Sequence, residues 1–320
     1  DLADSLRVRG RREAPDWQPP HGPLDARDFP SFPEENWTWL VHAVDNQDAP
    51  LQELMQMFSF IPGWRLDDLM ISYAVTGGSV GPHADQYDVF LFQAEGSRRW
   101  QIARSFDPEL LEDCPLNVLR TFTAEQEWIL EAGDMLYLPP NVAHHGLALE
   151  SGMTWSIGSR APSGADLLQG LGEWLAFTDD EGGRYADPDL QPAVRPGEID
   201  RKSLSALKQF IRSRIDENKG LDEFLAGFLS RFRQAHEPVP PPRQVTGTQL
   251  LKKGQNGLQL MRNPWARLTW IETVNGARLF ASGQPYDCSI HLAGLLCAGE
   301  LPLIKTHELD GQSLETLAKL

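Results

Sequence analysis

Cysteine is scarce in this chain of 320 residues, which contains only Cys114, Cys288 and Cys297. The number is odd and no two of them have the C-x-x-C spacing, so the sequence predicts neither a disulfide framework nor a zinc knuckle. Free cysteines are typical of a reducing compartment, and we therefore expect a cytoplasmic protein.

Long apolar runs are also missing. No stretch approaches the roughly 20 apolar residues that a membrane-spanning helix needs, and no segment has the pattern of a secretion signal. We therefore expect no membrane association. The chain begins with DLADSLRV and has no initial methionine, so we expect that the N-terminal part of its first domain is incomplete.

Positive charge is in deficit, because 29 Lys and Arg residues stand against 45 Asp and Glu residues, a formal net charge of −16. A nucleic-acid binder needs a basic surface to neutralise phosphates. Direct nucleic-acid binding is therefore not expected, although LKKGQNGLQLMRNPWAR (251–267) is locally basic. An acidic surface attracts basic partners, and it is also common in proteins that carry charge only for solubility.

Residues 1–162 contain short apolar or alternating runs between turn signals, which predict an antiparallel β-sandwich or barrel. QAEGSRRW predicts a hairpin turn centred on Glu95 and Gly96, and NWTWLVHAVDNQ (36–47) predicts a helix before the barrel. The predicted strands are LMISYAV (69–75), YDVFLFQ (87–93), RRWQIA (98–103), EWILEAGDMLYLPP (127–140, containing a turn) and GMTWSIGSR (152–160).

Residues 163–237 have apolar positions at helical spacing in three segments. The first begins with Ser163 as a candidate N-cap, and the set is typical of a bundle or of an oligomerisation element. The proline-rich stretch EPVPPPRQ (237–244) predicts a semi-rigid linker. Residues 238–320 then predict short strands with a turn at Asn275-Gly276, followed by two helices, an order that fits a small winged-helix-like α/β domain.

The stretch GPHADQYDVFLFQ (81–93) places His83 and Asp85 two residues apart, so both side chains project to one face of a strand. A metal site needs a further ligand, and GDMLYLPPNVAHHG (133–146) offers His144 and His145. Two His and one carboxylate make the facial triad of non-haem Fe(II) oxygenases, although Zn and Mn use the same donors.

These two blocks resemble the paired motifs of the cupin superfamily. Gly77 precedes His83-x-Asp85 by the family's spacing, and Gly133, Pro139 and Asn141 precede His144. The resemblance implies that His144 is the third ligand and that His145 faces elsewhere. Asn141 stands where the family usually has glycine, and Asn also tolerates a left-handed backbone.

A 2-oxoglutarate oxygenase also needs a cation for the distal carboxylate of its cosubstrate, and arginine offers a bidentate fork. In RRWQIA, Arg98 shares a face with Trp100 and Ile102, so we expect it to point into the barrel. Arg98 also follows His83 by fifteen positions, which resembles the placement of the basic cosubstrate residue in the JmjC branch of these oxygenases.

A narrower resemblance is to the bacterial ribosomal oxygenases. Three segments carry it: DDLMISYAVTGGSVGPHADQYDVFLFQAEGSRRWQI (67–102), GDMLYLPPNVAHHGLALESGMTWSIGSRAP (133–162) and HGPLDARDFPSFPEENWTWLVHAVD (21–45). The resemblance implies a mainly β core with α elements: a double-stranded β-helix, then a helical dimerisation domain and a winged-helix-like domain. It also implies Fe(II), 2-oxoglutarate, and hydroxylation of an arginine β-carbon in a basic large-subunit ribosomal protein, the sixteenth, with succinate and CO2 as coproducts.

For a guanidinium substrate we expect carboxylates and aromatic faces near the metal. Ser156 is a candidate hydrogen-bond donor to the cosubstrate, and it is equally compatible with a barrel-lining role. By strand parity Tyr87 shares the face of the first two ligands, and the residues on either side of it lie on the other. The candidate substrate residues are Gln86, Tyr87, Asp88 and Tyr137.

The triad does not distinguish an arginine hydroxylase from a JmjC-type lysyl demethylase or from an asparaginyl or histidyl hydroxylase, because all use the same iron chemistry. No zinc-binding reader module accompanies the barrel, which argues against demethylation. A non-catalytic cupin that binds a ligand or a partner is the alternative of another class.

Overall fold

The computed structural model describes residues 5–9, 33–177, 183–192, 194–216, 219–232, 245–257, 260, 263, 265–298 and 306–320. The chain divides into two compact units, residues 1–161 and 162–320, and each is described by itself. The predicted proline-rich linker (237–244) and residues 21–32 of the predicted family resemblance lie outside the described residues.

The first unit contains two antiparallel sheets. The larger has six strands in the order β1-β2-β3-β10-β5-β8, and the smaller has four in the order β4-β9-β6-β7. The strands are β1 (Ser5–Arg9), β2 (Trp37–Val41), β3 (Leu66–Ala74), β4 (His83–Ala84), β5 (Asp88–Glu95), β6 (Arg98–Ala103), β7 (Gln126–Leu130), β8 (Met135–Leu138), β9 (Ala143–Ala148) and β10 (Gly152–Ser159).

Strands β3 to β10 form the predicted double-stranded β-helix, because the chain passes repeatedly between the two sheets. Side chains that alternate along β5 and β6 face each other in the interior, where Val89 and Leu91 pack with Trp100 and Ile102. The opposite face of the larger sheet is covered by α1 (Ala49–Met55) and the 3-10 turn after it, through a cluster around Phe58, Leu69 and Ile157.

Two local predictions are wrong. Residues 36–47 do not form a helix: Trp37–Val41 is strand β2, and a 3-10 turn follows at Val44–Asn46. β2 pairs with β3, because its aromatic and β-branched residues favour a strand when a partner edge is available. QAEGSRRW turns at Gly96 (φ +70°), yet it is not a hairpin, because β5 and β6 lie in different sheets.

The second unit begins with three helices, α2 (Gly164–Phe177), α3 (Arg201–Asp216) and α4 (Leu221–Arg231). The predicted cap at Ser163 is confirmed by a hydrogen bond from the Asp166 N–H to its hydroxyl (3.1 Å). In α3, by contrast, Asp200 accepts from the Ser203 N–H (2.9 Å). Side-chain caps of this kind satisfy backbone donors that have no partner inside the helix.

The rest of the second unit is α5 (Gly247–Gln255), a three-stranded antiparallel sheet of β11 (Leu268–Thr273), β12 (Gly276–Ala281) and β13 (Gln284–Cys288), then α6 (Ile290–Ala298) and α7 (Gly311–Lys319). Helix α4 packs on this sheet, where the Thr269 hydroxyl donates to the Ala226 carbonyl (2.8 Å). The order of the strands and of the last two helices agrees with the sequence analysis, which did not predict α5. The winged-helix likeness and the division at 237/238 stay predictions. In the described part of the chain, no helix is both long and apolar enough to cross a membrane.

Candidate metal centre and cosubstrate site

Three predicted ligands converge at one end of the barrel. His83 and His144 face each other in the β4–β9 pair, and Asp85 follows β4 directly. The Asp85 Oδ2 atom lies 3.9 Å from His83 Nε2 and 3.8 Å from His144 Nε2, and the three donor atoms all lie within 4.8 Å of one another. A single ion between them would reach all three.

The backbone fixes the chemical form of both rings. Nδ1 of His83 lies 2.9 Å from the Gly81 carbonyl oxygen, and Nδ1 of His144 lies 3.0 Å from that of Val142. A carbonyl oxygen can only accept, so Nδ1 carries the proton and the Nε2 lone pair remains available for a metal. Burial, together with the neighbouring His83, lowers the pKa of His144 to about 4, so this ring is neutral at ordinary pH.

Turn residues position the second ligand strand. Asn141 has a φ of +62° and Gly133 a φ of +100°, so both occupy the left-handed backbone region that glycine and asparagine tolerate. The Asn141 N–H donates to the Asp85 carbonyl oxygen (2.7 Å). This bond ties the turn before His144 to the segment that carries Asp85, which fixes the two ligands relative to each other.

The donor set fits Fe(II). Two neutral imidazoles and one carboxylate on one side of an ion leave its other coordination positions for small molecules. His83 and Asp85 are partly exposed, with side-chain exposures of 24% and 23%, whereas His144 is 3% exposed. The centre is therefore open on the side of the first two ligands and closed behind His144.

Arg98 lies deeper in the barrel, on the same sheet. It precedes Ile102 by four residues on β6, about 13 Å along a strand, and Ile102 pairs with His144. The residue is 5% exposed, and its guanidinium lies over the Trp100 ring, 5.3 Å from the centroid. Burial lowers the pKa of Arg98 to about 10, which still leaves it charged at neutral pH.

The hydrogen bonds of Arg98 leave one edge of its fork free. Nη1 donates to the Ser72 hydroxyl (3.2 Å) and to the Thr154 hydroxyl (3.1 Å). Nε is buried without a partner among the described residues, and no described carboxylate pairs with this cation. A buried guanidinium with a free Nε–Nη2 edge suits a bidentate carboxylate. This arrangement fits the distal carboxylate of a dicarboxylic 2-oxo acid.

Ser156, the other predicted cosubstrate residue, is buried on the inner face of β10, where it pairs with Met70 and Leu91. Arg98 contacts Thr154, two residues earlier on the same face. Sequence reasoning missed Ser72, Thr154 and Gln93, which accepts from Thr154 (2.8 Å). The alternation of TWS in β10 was the available signal, because it puts Thr154 and Ser156 on one face.

Gly146 makes room for the Trp100 ring, which lies between the metal ligand His144 and Arg98. The Trp100 ring lies 5.9 Å from the His144 ring, centroid to centroid, and also beneath Arg98. A Cβ at position 146 would come within 2.7 Å of the Trp100 ring. The glycine after the two histidines is therefore required by the close approach of Trp100.

Tyr87 lies on the metal side of the barrel, as strand parity predicts. Burial, then the negative charge of Asp85, raises the pKa of the Tyr87 hydroxyl. The ring carries the Arg160 guanidinium 4.1 Å from its centroid. Gln86, its neighbour, is exposed. Of the four candidate substrate residues, Tyr87 is the one that the structure brings beside a predicted metal ligand.

Asp88 and Tyr137 lie instead on the outer face of the larger sheet, in a groove of about 360 Å³ with Phe60, Arg65 and Phe90 among its walls. The Tyr137 hydroxyl donates to Asp88 (2.7 Å), and Arg65 donates to the other carboxylate oxygen (3.0 Å). Asp88 and Tyr137 pair with each other and not with the metal ligands. Even positions of β5 point away from the barrel interior, and Tyr137 on β8 lies opposite one of them, Phe90.

Comparisons with known proteins agree with this geometry. Residues 53–167 match the model of the JmjC domain. The chain is 34% identical to the ribosomal protein uL16 3-hydroxylase of Escherichia coli over 274 residues, 85% of this chain and 71% of that protein. It is also 34% identical to a probable ribosomal oxygenase of Haemophilus influenzae over 327 residues, 94% of this chain and 74% of that protein.

Solved structures of the Escherichia coli ribosomal oxygenase YcfD have the same fold. One crystal structure gives a TM-score of 0.82 at 32% identity and covers 100% of this chain and 85% of its own. Another, in complex with cobalt and 2-oxoglutarate, gives 0.82 at 31% identity with the same coverage.

The fold and the arrangement of the site define a JmjC-type oxygenase with a cupin barrel. Within that class, the sequence identity of 34% over most of both chains shows the family. This chain belongs to the family of bacterial ribosomal oxygenases.

Proposed function

We propose that this protein is an Fe(II)- and 2-oxoglutarate-dependent oxygenase that hydroxylates the β-carbon of an arginine in a large-subunit ribosomal protein, uL16. The carrying observation is that a three-ligand centre at His83, Asp85 and His144 lies in the same barrel as Arg98, a buried cation that pairs with no carboxylate among the described residues. The relative from Escherichia coli is named for 3-hydroxylation of uL16, which supports the substrate.

In this proposal His83, Asp85 and His144 hold Fe(II), and Arg98 binds the distal carboxylate of 2-oxoglutarate. When bound, the metal and cosubstrate would activate dioxygen: one oxygen atom enters a C–H bond of the substrate to give C–O–H, and the other enters succinate as 2-oxoglutarate loses CO2. The protein's own residues orient the metal ligands and exclude water. The Nδ1–H bonds hold both imidazoles in place, and the buried Trp100 ring keeps water from the space between His144 and Arg98.

Tyr87 is our candidate for contact with the reacting arginine. One face of its ring carries the Arg160 guanidinium, which is an example of a planar cation stacked on this ring. The substrate arginine would therefore use the opposite face or the ring edge. Ser156, in the row next to Thr154, is proposed as a secondary contact of the cosubstrate. Gln86, Asp88 and Tyr137 would meet parts of the substrate that lie away from the metal, since the latter two line the outer groove.

We also propose a cytoplasmic homodimer that forms through the helical region. Helix α3 has no buried residue among those described, although Leu204 and Ile211 are apolar and 42% and 61% exposed. An exposed apolar stripe of this kind fits association with a second copy. Light scattering after gel filtration tests this, and Ile211→Glu should shift a dimer towards monomer.

The function is tested by incubating the protein with Fe(II), 2-oxoglutarate and purified large-subunit proteins, followed by mass spectrometry of each. We expect one added oxygen atom on an arginine of uL16, and none with His83→Ala or Asp85→Ala. An added oxygen on another protein or residue would support the oxygenase chemistry and overturn the proposed substrate. Absence of both succinate and modification would favour a binding protein that is not catalytic.

A further inference from the structure

A polar row crosses the inner face of the larger sheet opposite Arg98. Thr154 on β10 is in register with Ser72 on β3 and with Gln93 on β5, so the three residues lie side by side on neighbouring strands. All are buried, with exposures of 4% for Ser72 and 2% each for Thr154 and Gln93. Buried polar side chains in an apolar barrel are costly unless their hydrogen bonds are satisfied.

The hydrogen bonds in this row have a defined direction. Gln93 Nε2 donates to the Glu95 carbonyl oxygen (2.8 Å), which assigns Oε1 to the side of Thr154. Thr154 therefore donates its single proton to Gln93 (2.8 Å) and turns its oxygen lone pairs towards Arg98. Ser72 likewise donates to the Thr154 carbonyl oxygen (3.3 Å).

Both hydroxyls that face Arg98 are thus held as acceptors. They bind the two protons of the same nitrogen, Nη1, which leaves the Nε–Nη2 edge of the guanidinium for a carboxylate. If the acceptor at position 93 were lost, the Thr154 hydroxyl would be free to rotate. Its proton would then compete with the Nη1 protons for the same space.

We infer that Gln93, acting through Thr154, is a positioning residue that determines which edge of Arg98 is presented to the distal carboxylate of 2-oxoglutarate. The inference rests on the proposed function and deepens it. A neutral amide suits position 93, because a carboxylate there would place a negative charge behind the Thr154 hydroxyl that binds Arg98 and would oppose the charge of the cosubstrate.

The test uses 2-oxobutyrate, which keeps the 2-oxo acid group and lacks the distal carboxylate. Titration calorimetry on Mn(II)-loaded protein gives Kd for 2-oxoglutarate and for 2-oxobutyrate. For Gln93→Met and Thr154→Val we expect Kd for 2-oxoglutarate to rise about tenfold, as for the loss of one buried polar contact, with Kd for 2-oxobutyrate unchanged. Thr154→Ser keeps the hydroxyl and should behave like the unmodified protein.

Thermal unfolding of the metal-free variants separates positioning from folding. If Gln93→Met does not fold, Gln93→Leu takes its place, because Thr154→Val removes a direct contact of Arg98 and reports on Thr154 alone. Equal weakening of both ligands, or an unchanged Kd for 2-oxoglutarate in a folded variant, would overturn the inference. Failure of the unmodified protein to bind 2-oxoglutarate at all would overturn the proposed function, and this inference with it.

Discussion

His83 and His144 lie directly opposite each other in the β4–β9 pair, with ring centroids 4.3 Å apart. Each ring is oriented by a carbonyl two residues before it, so the two free nitrogens converge on Asp85. The backbone therefore sets the ring orientations that a metal ion needs.

Replacement of a ligand should remove the metal. We expect His83→Ala, Asp85→Ala or His144→Ala to weaken Co(II) or Fe(II) binding by at least about 100-fold, since even groups that only orient a ligand contribute 10- to 100-fold. Equilibrium dialysis with metal analysis measures this. His145→Asn is the matched control, because its ring contacts Phe122 and is not among the three converging donors. Metal loss in the control alone would contradict the assignment.

Arg98→Lys should be far from neutral. Lysine keeps the charge and loses the planar fork that spans two carboxylate oxygens. We expect KM for 2-oxoglutarate to rise by about 10-fold or more, with a smaller change in kcat, measured by succinate formation. Arg99→Lys, on the opposite face of β6, serves as the control. An equal effect of both substitutions would show that the planar guanidinium of Arg98 does not determine 2-oxoglutarate binding.

Gly146→Ala should disturb the barrel interior. The added methyl group meets the Trp100 ring, so we expect a loss of about 1–3 kcal/mol in the free energy of unfolding, measured by urea denaturation. Gly172→Ala in α2 has no atom within 4 Å of its added Cβ and should instead stabilise by up to about 1 kcal/mol. A neutral Gly146→Ala would mean that Trp100 moves aside freely.

Asp45 should make stability depend on pH. Burial, reinforced by the nearby charges of Asp68 and Asp67, raises its pKa to about 6. The folded protein therefore binds the proton up to a higher pH than the unfolded chain does, so this residue's contribution favours folding at low pH and is lost as pH rises through about 6.

Asp45→Asn keeps an oxygen for the Leu69 N–H, which donates to Asp45 (2.9 Å). We expect the variant to be more stable than the unmodified protein by about 2 kcal/mol above pH 6, with no such gain near pH 4. Urea denaturation across this pH range gives both curves. If the two curves of stability against pH ran parallel, they would contradict the raised pKa of Asp45.

Tyr87 and Tyr137 should differ in their effect on the substrate. If the reacting side chain lies against Tyr87, Tyr87→Leu raises KM for uL16 by about 10-fold, the scale of a lost cation–π contact of 1–2 kcal/mol. Tyr137→Leu, on the outer face, should leave the rate of hydroxylation of a short uL16 peptide nearly unchanged. The reverse order of effects would move the substrate to the outer groove.

The sequence predicted the parts of the site that depend on spacing along one strand. His83-x-Asp85 and the inward face of RRWQIA follow from alternation, and Asn141 follows from its tolerance of a left-handed backbone. These features are local, so one segment contains all the information they require. The five predicted strand segments also match observed strands closely, although β9, which carries His144, was not among them. The β-helix itself was implied by the family resemblance.

The features that depend on pairing between distant segments were not predictable. Ser72, Thr154 and Gln93 become neighbours only because β3, β10 and β5 are adjacent in the larger sheet. The Gly96 turn had the local chemistry of a hairpin, yet its two strands have better partners in separate sheets. The helix prediction for residues 36–47 was wrong for a related reason, because pairing with the edge of β3 decides their conformation.

The buried charge of Arg98 couples cosubstrate binding to stability. Its hydrogen-bond partners among the described residues are neutral hydroxyls, so a bound carboxylate would neutralise a charge that folding has removed from water. Any dicarboxylate that pairs with this charge binds the folded state alone, and it raises resistance to unfolding in proportion to the logarithm of its concentration. The supply of cosubstrate would then set the lifetime of the protein as well as its rate of turnover.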